Sequence, residues 1–175
     1  ELGYPIHSVE SYKQMVGNGA KKLCFRALPD GSKDREGELY DIFCIRYGSH
    51  YLDNTQLYDG IAETIRILSQ SGVKLAVATN KPQDAARKII AAFLPEAGFF
   101  KVLGGCDERP KKPDPAVIRE ILDGLPDDNL VYMIGDSNVD IRTAKNSGLI
   151  SIGCAWGFRG RHELEAEGAA YIAEK

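Results

Sequence analysis

Residues 131–148 read VYMIGDSNVDIRTAKNSG. An apolar run, VYMIG, stops at Asp136; a second aspartate follows at Asp140, and a glycine, Gly148, closes the segment. The run has the length of a buried strand. The stretch behind it has helical character and ends on a residue suited to a left-handed cap. A strand passing directly into a helix is half of a parallel β-α-β unit. Two carboxylates this close repel each other and resist losing water, so a positive group belongs between them, or one of them is exposed.

The same alternation extends outward. Upstream, Asp114 and Pro115 read as N-cap and first position of a helix whose face carries Val117, Ile121 and Leu122. Before it, FFKVLGG is a candidate strand, and Pro82 opens a helix with Ala86, Ile89, Ile90 and Phe93 on one face. VKLAVAT, ending at Thr79, is a buried strand, and Ile61, Ile65 and Leu68 mark a helix stopped by Gly72. Downstream, ISIGCAW and AAYIAE are further strands. The predicted fold is α/β: a Rossmann-like parallel sheet with helices on both faces, over residues 58–175. Residues 1–57 show no strand. A helix from Ser8 to about Val16, a restart near Ala20, a PDGS turn and a helical stretch over 34–47 predict a small N-terminal helical cap.

Composition bounds the function. The chain has 175 residues, 43% apolar and 27% charged, with a net charge of −3. That suits one domain with a small insert, and no basic face points to nucleic acid. No apolar run is long enough for a membrane span. Cys24, Cys44, Cys106 and Cys154 are scattered without a CxxC pair and read as reduced thiols of a cytoplasmic protein. His7, His50 and His162 lack ligand spacing. The chain opens at Glu1 with ELGYPIHSVESY, which reads like the middle of a longer sequence.

Ligands of open parallel sheets gather beyond the carboxyl ends of the strands. Thr79 and Asn80 end one strand, and Asp136, Ser137 and Asn138 follow another. Lys112, in RPKKPDP, precedes a helix start. Taken singly, Thr79 is a helix cap, Lys111 and Lys112 are a solvated pair, and Asp136 and Asp140 serve a helix N-terminus. Tyr58, Asp53, Asp107 and the Asp127–Asp128 pair read as turn residues. Taken together, the strand ends offer a hydroxyl and amides for an anion, an ammonium for its charge, and hard oxygen ligands of the kind magnesium takes. That inventory fits phosphoryl transfer.

In order, LAVATNKP, KKPDPAV and MIGDSNVDIRTAKNSG resemble the second, third and fourth motifs of the haloacid dehalogenase superfamily of phosphatases. VGNGAKKL, LYDG and WGFRG narrow the likeness to the phosphoglycolate phosphatase group, which carries a helical cap. The resemblance implies that Thr79, with the amide of Asn80, holds the transferring phosphoryl group and that Lys112 steadies its charge. It implies that Asp136 binds Mg2+ and that Asp140 supports the metal shell or orients Lys112. Asn18 and Lys21, in the cap segment with Gly17 and Gly19, would close over the substrate, and Arg159 would reach a substrate carboxylate. The expected substrate is a small phosphate ester, 2-phosphoglycolate first, and the expected state is a monomer or homodimer.

The family's DxDGT-like nucleophile motif does not occur in this sequence. Its strand lies in the middle of the family's sheet, between LAVAT and VYMIG. The expectation is therefore that the strand and nucleophile lie upstream of Glu1; the alternative is that LAVAT and VYMIG pair directly in a catalytically inactive relative. Two other readings stay open: a phosphosugar mutase or pyrophosphatase of the same superfamily, and a non-catalytic phosphate- or metal-binding α/β module such as a receiver-like domain.

Overall fold

The structure, a computed structural model, describes residues 2–126 and 130–175. The Asp127–Asp128 pair lies outside them. Three helices come first: α1 (Val9–Met15), α2 (Ala20–Ala27) and α3 (Glu36–His50), with a 3-10 turn over Asp30–Arg35. Ser8 caps α1, its hydroxyl accepting from the Ser11 amide at 3.1 Å. The break between α1 and α2 falls on Gly17 and Gly19, both with positive φ (112° and 91°), a region that side chains with a β-carbon avoid. Helix α2 packs against both α1 and α3 and buries Cys24. Among the described residues of 2–57 there is no strand.

The alternating part follows as α4 (Ile61–Gln70), β1 (Ala76–Pro82), α5 (Gln83–Phe93), β2 (Lys101–Gly105), α6 (Ala116–Leu122), β3 (Tyr132–Gly135), α7 (Asn138–Asn146), β4 (Ile150–Cys154), α8 (Gly160–Ala166) and β5 (Tyr171–Ala173). Every strand pairing is parallel. Two element starts differ from the sequence reading. Strand β1 runs on to Pro82, which becomes the N-cap of α5, because the ladder to β2 slips between Ala78 and Pro82 and resumes there. Pro115 is the N-cap of α6 rather than its first residue, and Asp114 Oδ1 accepts from the Ala116 amide at 2.8 Å. No helix among the described residues is long and apolar enough to cross a membrane.

The strands form two sheets, β1-β2 and β3-β4-β5. LAVAT and VYMIG therefore do not pair, which overturns the direct-pairing alternative. The sheets are held together by one core: Val117, Ile118 and Ile121 of α6 pack with Met133 of β3 and Ala144 of α7, against Ala76 and Ala78 of β1 and Leu103 of β2. Burial of Val117, Ile118, Ile121 and Met133 contributes about 1.5–3 kcal/mol each. Helix α6 thus spans the break. Period-2 alternation divides β3: Met133 is buried, whereas Tyr132 and Ile134 on the other face are 46% and 57% exposed.

Candidate active site

Thr79 stands near the end of β1, Lys112 in the loop before α6, and Asp136 and Asp140 at the junction of β3 and α7. All four line one chamber of about 570 Å³, roofed by Ala20 and Leu23 of α2 and Phe43 and Tyr47 of α3. Parallel strands put their carboxyl ends, and the loops that follow them, at one rim, which is how strand-end residues of distant sequence meet.

The two aspartates occupy different environments. Asp140 is 8% exposed. Its Oδ1 accepts from the Lys112 ammonium at 2.6 Å, and its Oδ2 accepts from the Ser137 amide at 3.2 Å and the Ser137 hydroxyl at 2.7 Å, forming the capping box of α7. Among the described residues Asp136 accepts only from the Phe158 amide, at 3.2 Å, and it lines the chamber. So the positive group expected between the acids is Lys112, bound to Asp140, and the acid left open is Asp136. Two glycines make the room. A β-carbon on Gly135 would overlap the Asp140 carboxyl group, and one on Gly157 would overlap Asp136. The Cys154 thiol nearby is pushed above its ordinary value, first by burial and then by the charges of Asp136 and Asp140.

On the other wall, the Thr79 hydroxyl oxygen accepts from the Lys81 amide at 3.2 Å. The Asn80 side chain is a clamp rather than a ligand arm. Its Nδ2 donates to the Gly17 carbonyl at 2.9 Å and the Lys112 carbonyl at 3.0 Å, and its Oδ1 accepts from the Lys112 amide at 2.8 Å. Lys112 is thereby fixed at its backbone by Asn80 and at its tip by Asp140.

Arg159 lines the chamber, but its guanidinium is directed at the α1–α2 linker. It donates to Gln14 Oε1 at 2.5 Å and to the Val16 carbonyl at 3.0 Å, and it pairs with Glu163 at 3.7 Å. Glu163 in turn accepts from the Asn138 amide at 3.0 Å. Asn18 and Lys21 are not among the lining residues, although Gly17 and Gly19 beside them are. None of the three histidines lines the chamber. All four cysteines are free. Gly135, Gly157, Glu163 and Tyr47 belong to the site without any sequence signal that singled them out. Gly135, the glycine of GDS, and Gly157, within WGFRG, were visible only as letters of a motif.

Among the described residues no three His, Cys, Asp or Glu side chains cluster as a metal cage. The donor set still fits Mg2+, which keeps several waters and takes one or two carboxylates together with phosphate oxygens. Asp136 is the carboxylate in position to hold it.

A profile of the haloacid dehalogenase-like hydrolase family matches residues 1–154. The chain belongs to that family. A phosphoglycolate phosphatase of Pseudomonas savastanoi pv. phaseolicola is 33% identical over 186 residues, covering 99% of this chain and 66% of the relative. The chain thus spans slightly less than two thirds of that relative's length. A phosphoglycolate phosphatase of Vibrio parahaemolyticus is 34% identical over 184 residues, covering 99% of this chain and 79% of its own. A crystal structure of a candidate phosphoglycolate phosphatase from Lactobacillus delbrueckii subsp. bulgaricus superposes with a TM-score of 0.85 at 29% identity, covering 97% of this chain and 80% of that one. This haloacid dehalogenase-like chain therefore shares its fold with structures that extend beyond it in length.

Proposed function

We propose that the protein is a Mg2+-dependent phosphatase acting on a small phosphomonoester, with 2-phosphoglycolate as first candidate. The observation that carries this reading is the convergence of Thr79, Lys112 and Asp136 on one chamber beneath a helical roof. The names of the Pseudomonas and Vibrio relatives favour the substrate.

Each residue has a role that follows from its surroundings. The Thr79 hydroxyl, with the Asn80 amide, donates to the oxygens of the transferring phosphoryl group. Lys112 keeps its charge near those oxygens because Asp140 holds its ammonium from behind, so no reorganisation is needed as charge develops. Asp136 would hold Mg2+, which when bound offsets phosphoryl charge. Asp140, with both oxygens engaged, orients Lys112 in preference to coordinating a cation. The α2 and α3 side chains exclude bulk water, which strengthens every charge interaction below them.

The reaction we propose is nucleophilic. A carboxylate attacks phosphorus, the ester oxygen leaves, and water hydrolyses the aspartyl-phosphate. The position that fits is the end of a strand seated between β1 and β3, where an acid would face Thr79 on one side and Asp136 on the other. The test is phosphate release from 2-phosphoglycolate with Mg2+ by the full-length protein and by Asp136→Asn. The reading expects turnover in the first and a loss of at least about a hundredfold in the second, the scale of removing one charge-stabilising group. Equal rates in both would defeat it.

A further inference from the structure

Three cations line the chamber: Lys81, Lys112 and Arg159. Two are neutralised. Lys112 is bound to Asp140 at 2.6 Å, and Arg159 pairs with Glu163 while its remaining donors serve the α1–α2 linker. Lys81 is different. It is exposed, and among the described residues its ammonium has no carboxylate partner. It donates at 2.6 Å to the Tyr47 hydroxyl, a neutral group, and lies 5.2 Å from the centroid of that ring. Phe43 stacks on Tyr47 with ring centroids 5.2 Å apart and fixes the ring's position.

Lys81 lies two residues beyond Thr79 on the same strand, and both residues line the chamber. A group held at Thr79 therefore has an uncompensated positive charge beside it, on the roof side. The rest of the roof, Leu23 and Phe43, is apolar and offers nothing to a polar but uncharged tail. Because Lys81 is exposed and faces no carboxylate among the described residues, its charge is free to meet an anion that enters the chamber.

We infer that Lys81, with the Tyr47 hydroxyl as second donor, is a receptor for a second anionic group on the substrate. This inference rests on the phosphatase reading and narrows it: the favoured substrates are small phosphomonoesters that carry a carboxylate or another negative charge within a few bonds of the phosphate. Arg159, engaged with the linker, is not that receptor. The contact between Lys81 and Tyr47 also joins β1 to α3, so binding of the anion and seating of the roof occur at one place.

The experiment measures kcat and KM of the full-length protein on 2-phosphoglycolate and on ethyl phosphate, whose tail is uncharged. It does so for wild type, Lys81→Met, Lys81→Arg and Tyr47→Phe. The expected result is a wild-type preference for 2-phosphoglycolate and, in Lys81→Met, a loss of kcat/KM on that ester at least about tenfold greater than on ethyl phosphate, expressed mainly in KM. Lys81→Arg should restore most of the preference, and Tyr47→Phe should reduce it by a smaller factor. Equal losses on the two esters would mean that Lys81 only latches the roof, and would overturn the inference while leaving the phosphatase reading intact. Wild-type protein inert on both esters would overturn both.

Discussion

The floor of the chamber and its roof are built on opposite plans. At the floor, Lys112 and Asp140 are 9% and 11% exposed at their side chains, and Asn80, Asp140 and Ser137 hold Lys112 and the start of α7 in one hydrogen-bonded set. In the roof, α3 buries no residue among those described, and Phe43 and Tyr47, with Tyr51 at its C-cap, form an aromatic row reached from β1 by Lys81. On the phosphatase reading proposed above, the floor is pre-organised for the phosphoryl group that all such substrates share, and the roof, whose α3 buries none of its described residues, meets what differs between them. Stability and the proposed phosphoryl chemistry are then tied to the same side chains on one side of the chamber, and are separable on the other.

The sharpest way to break the contrast is at the buried ion pair. Asp140→Asn or Lys112→Met leaves one charge buried without its partner, and a loss of about 3–5 kcal/mol in unfolding free energy is expected from urea denaturation. Lys81→Met, by contrast, should leave the urea midpoint nearly unmoved, since exposed contacts contribute little. Next comes the room for the acids. Gly135→Ala and Gly157→Ala each force a methyl group into a carboxylate and should cost about 1–3 kcal/mol in thermal or urea unfolding. The connection between floor and linker is weaker. Asn80→Ala removes bonds to Gly17 and Lys112 and should cost about 1–2 kcal/mol, with faster proteolysis between residues 16 and 20 as the readout. The smallest effect belongs to the roof's own chemistry. Burial raises the Cys24 thiol to about 11, so at pH 8 its thiolate is scarce and Cys44, which is exposed, should be alkylated by iodoacetamide well before it. That difference should narrow as the pH approaches 11, because the Cys24 thiolate fraction grows.

Much of the floor was legible in the sequence because strand and helix periods, capping residues and strand-end chemistry are local signals. Thr79, Lys112, Asp136 and Asp140 were placed together from the order of their motifs, and they share one chamber. The division of labour between the two aspartates came only from the resemblance, which left Asp140 either to the metal shell or to Lys112: four-residue spacing says that both are near, but not that Lys112 and Ser137 occupy one of them. Helix α8 gave no periodic signal, since it buries Leu164 and little else in a run of charged residues. Arg159 read as a substrate ligand on charge alone, whereas the fold directs it to carbonyls more than 140 residues earlier, |i−j| being 143 for Val16. Asn18, in the glycine-rich linker, and Lys21, at the start of α2, follow the same rule: the motif marks a turn into a helix, not which of its side chains points inward.

The most direct measurement is a crystal structure of the protein grown with Mg2+ and an unreactive phosphate mimic. The account predicts the mimic within hydrogen-bonding distance of the Thr79 hydroxyl and the Lys112 ammonium, and the cation on Asp136, with Asp140 still bound to Lys112 and Ser137. A cation held by Asp140 with Lys112 displaced, or a mimic bound outside the chamber, would contradict it.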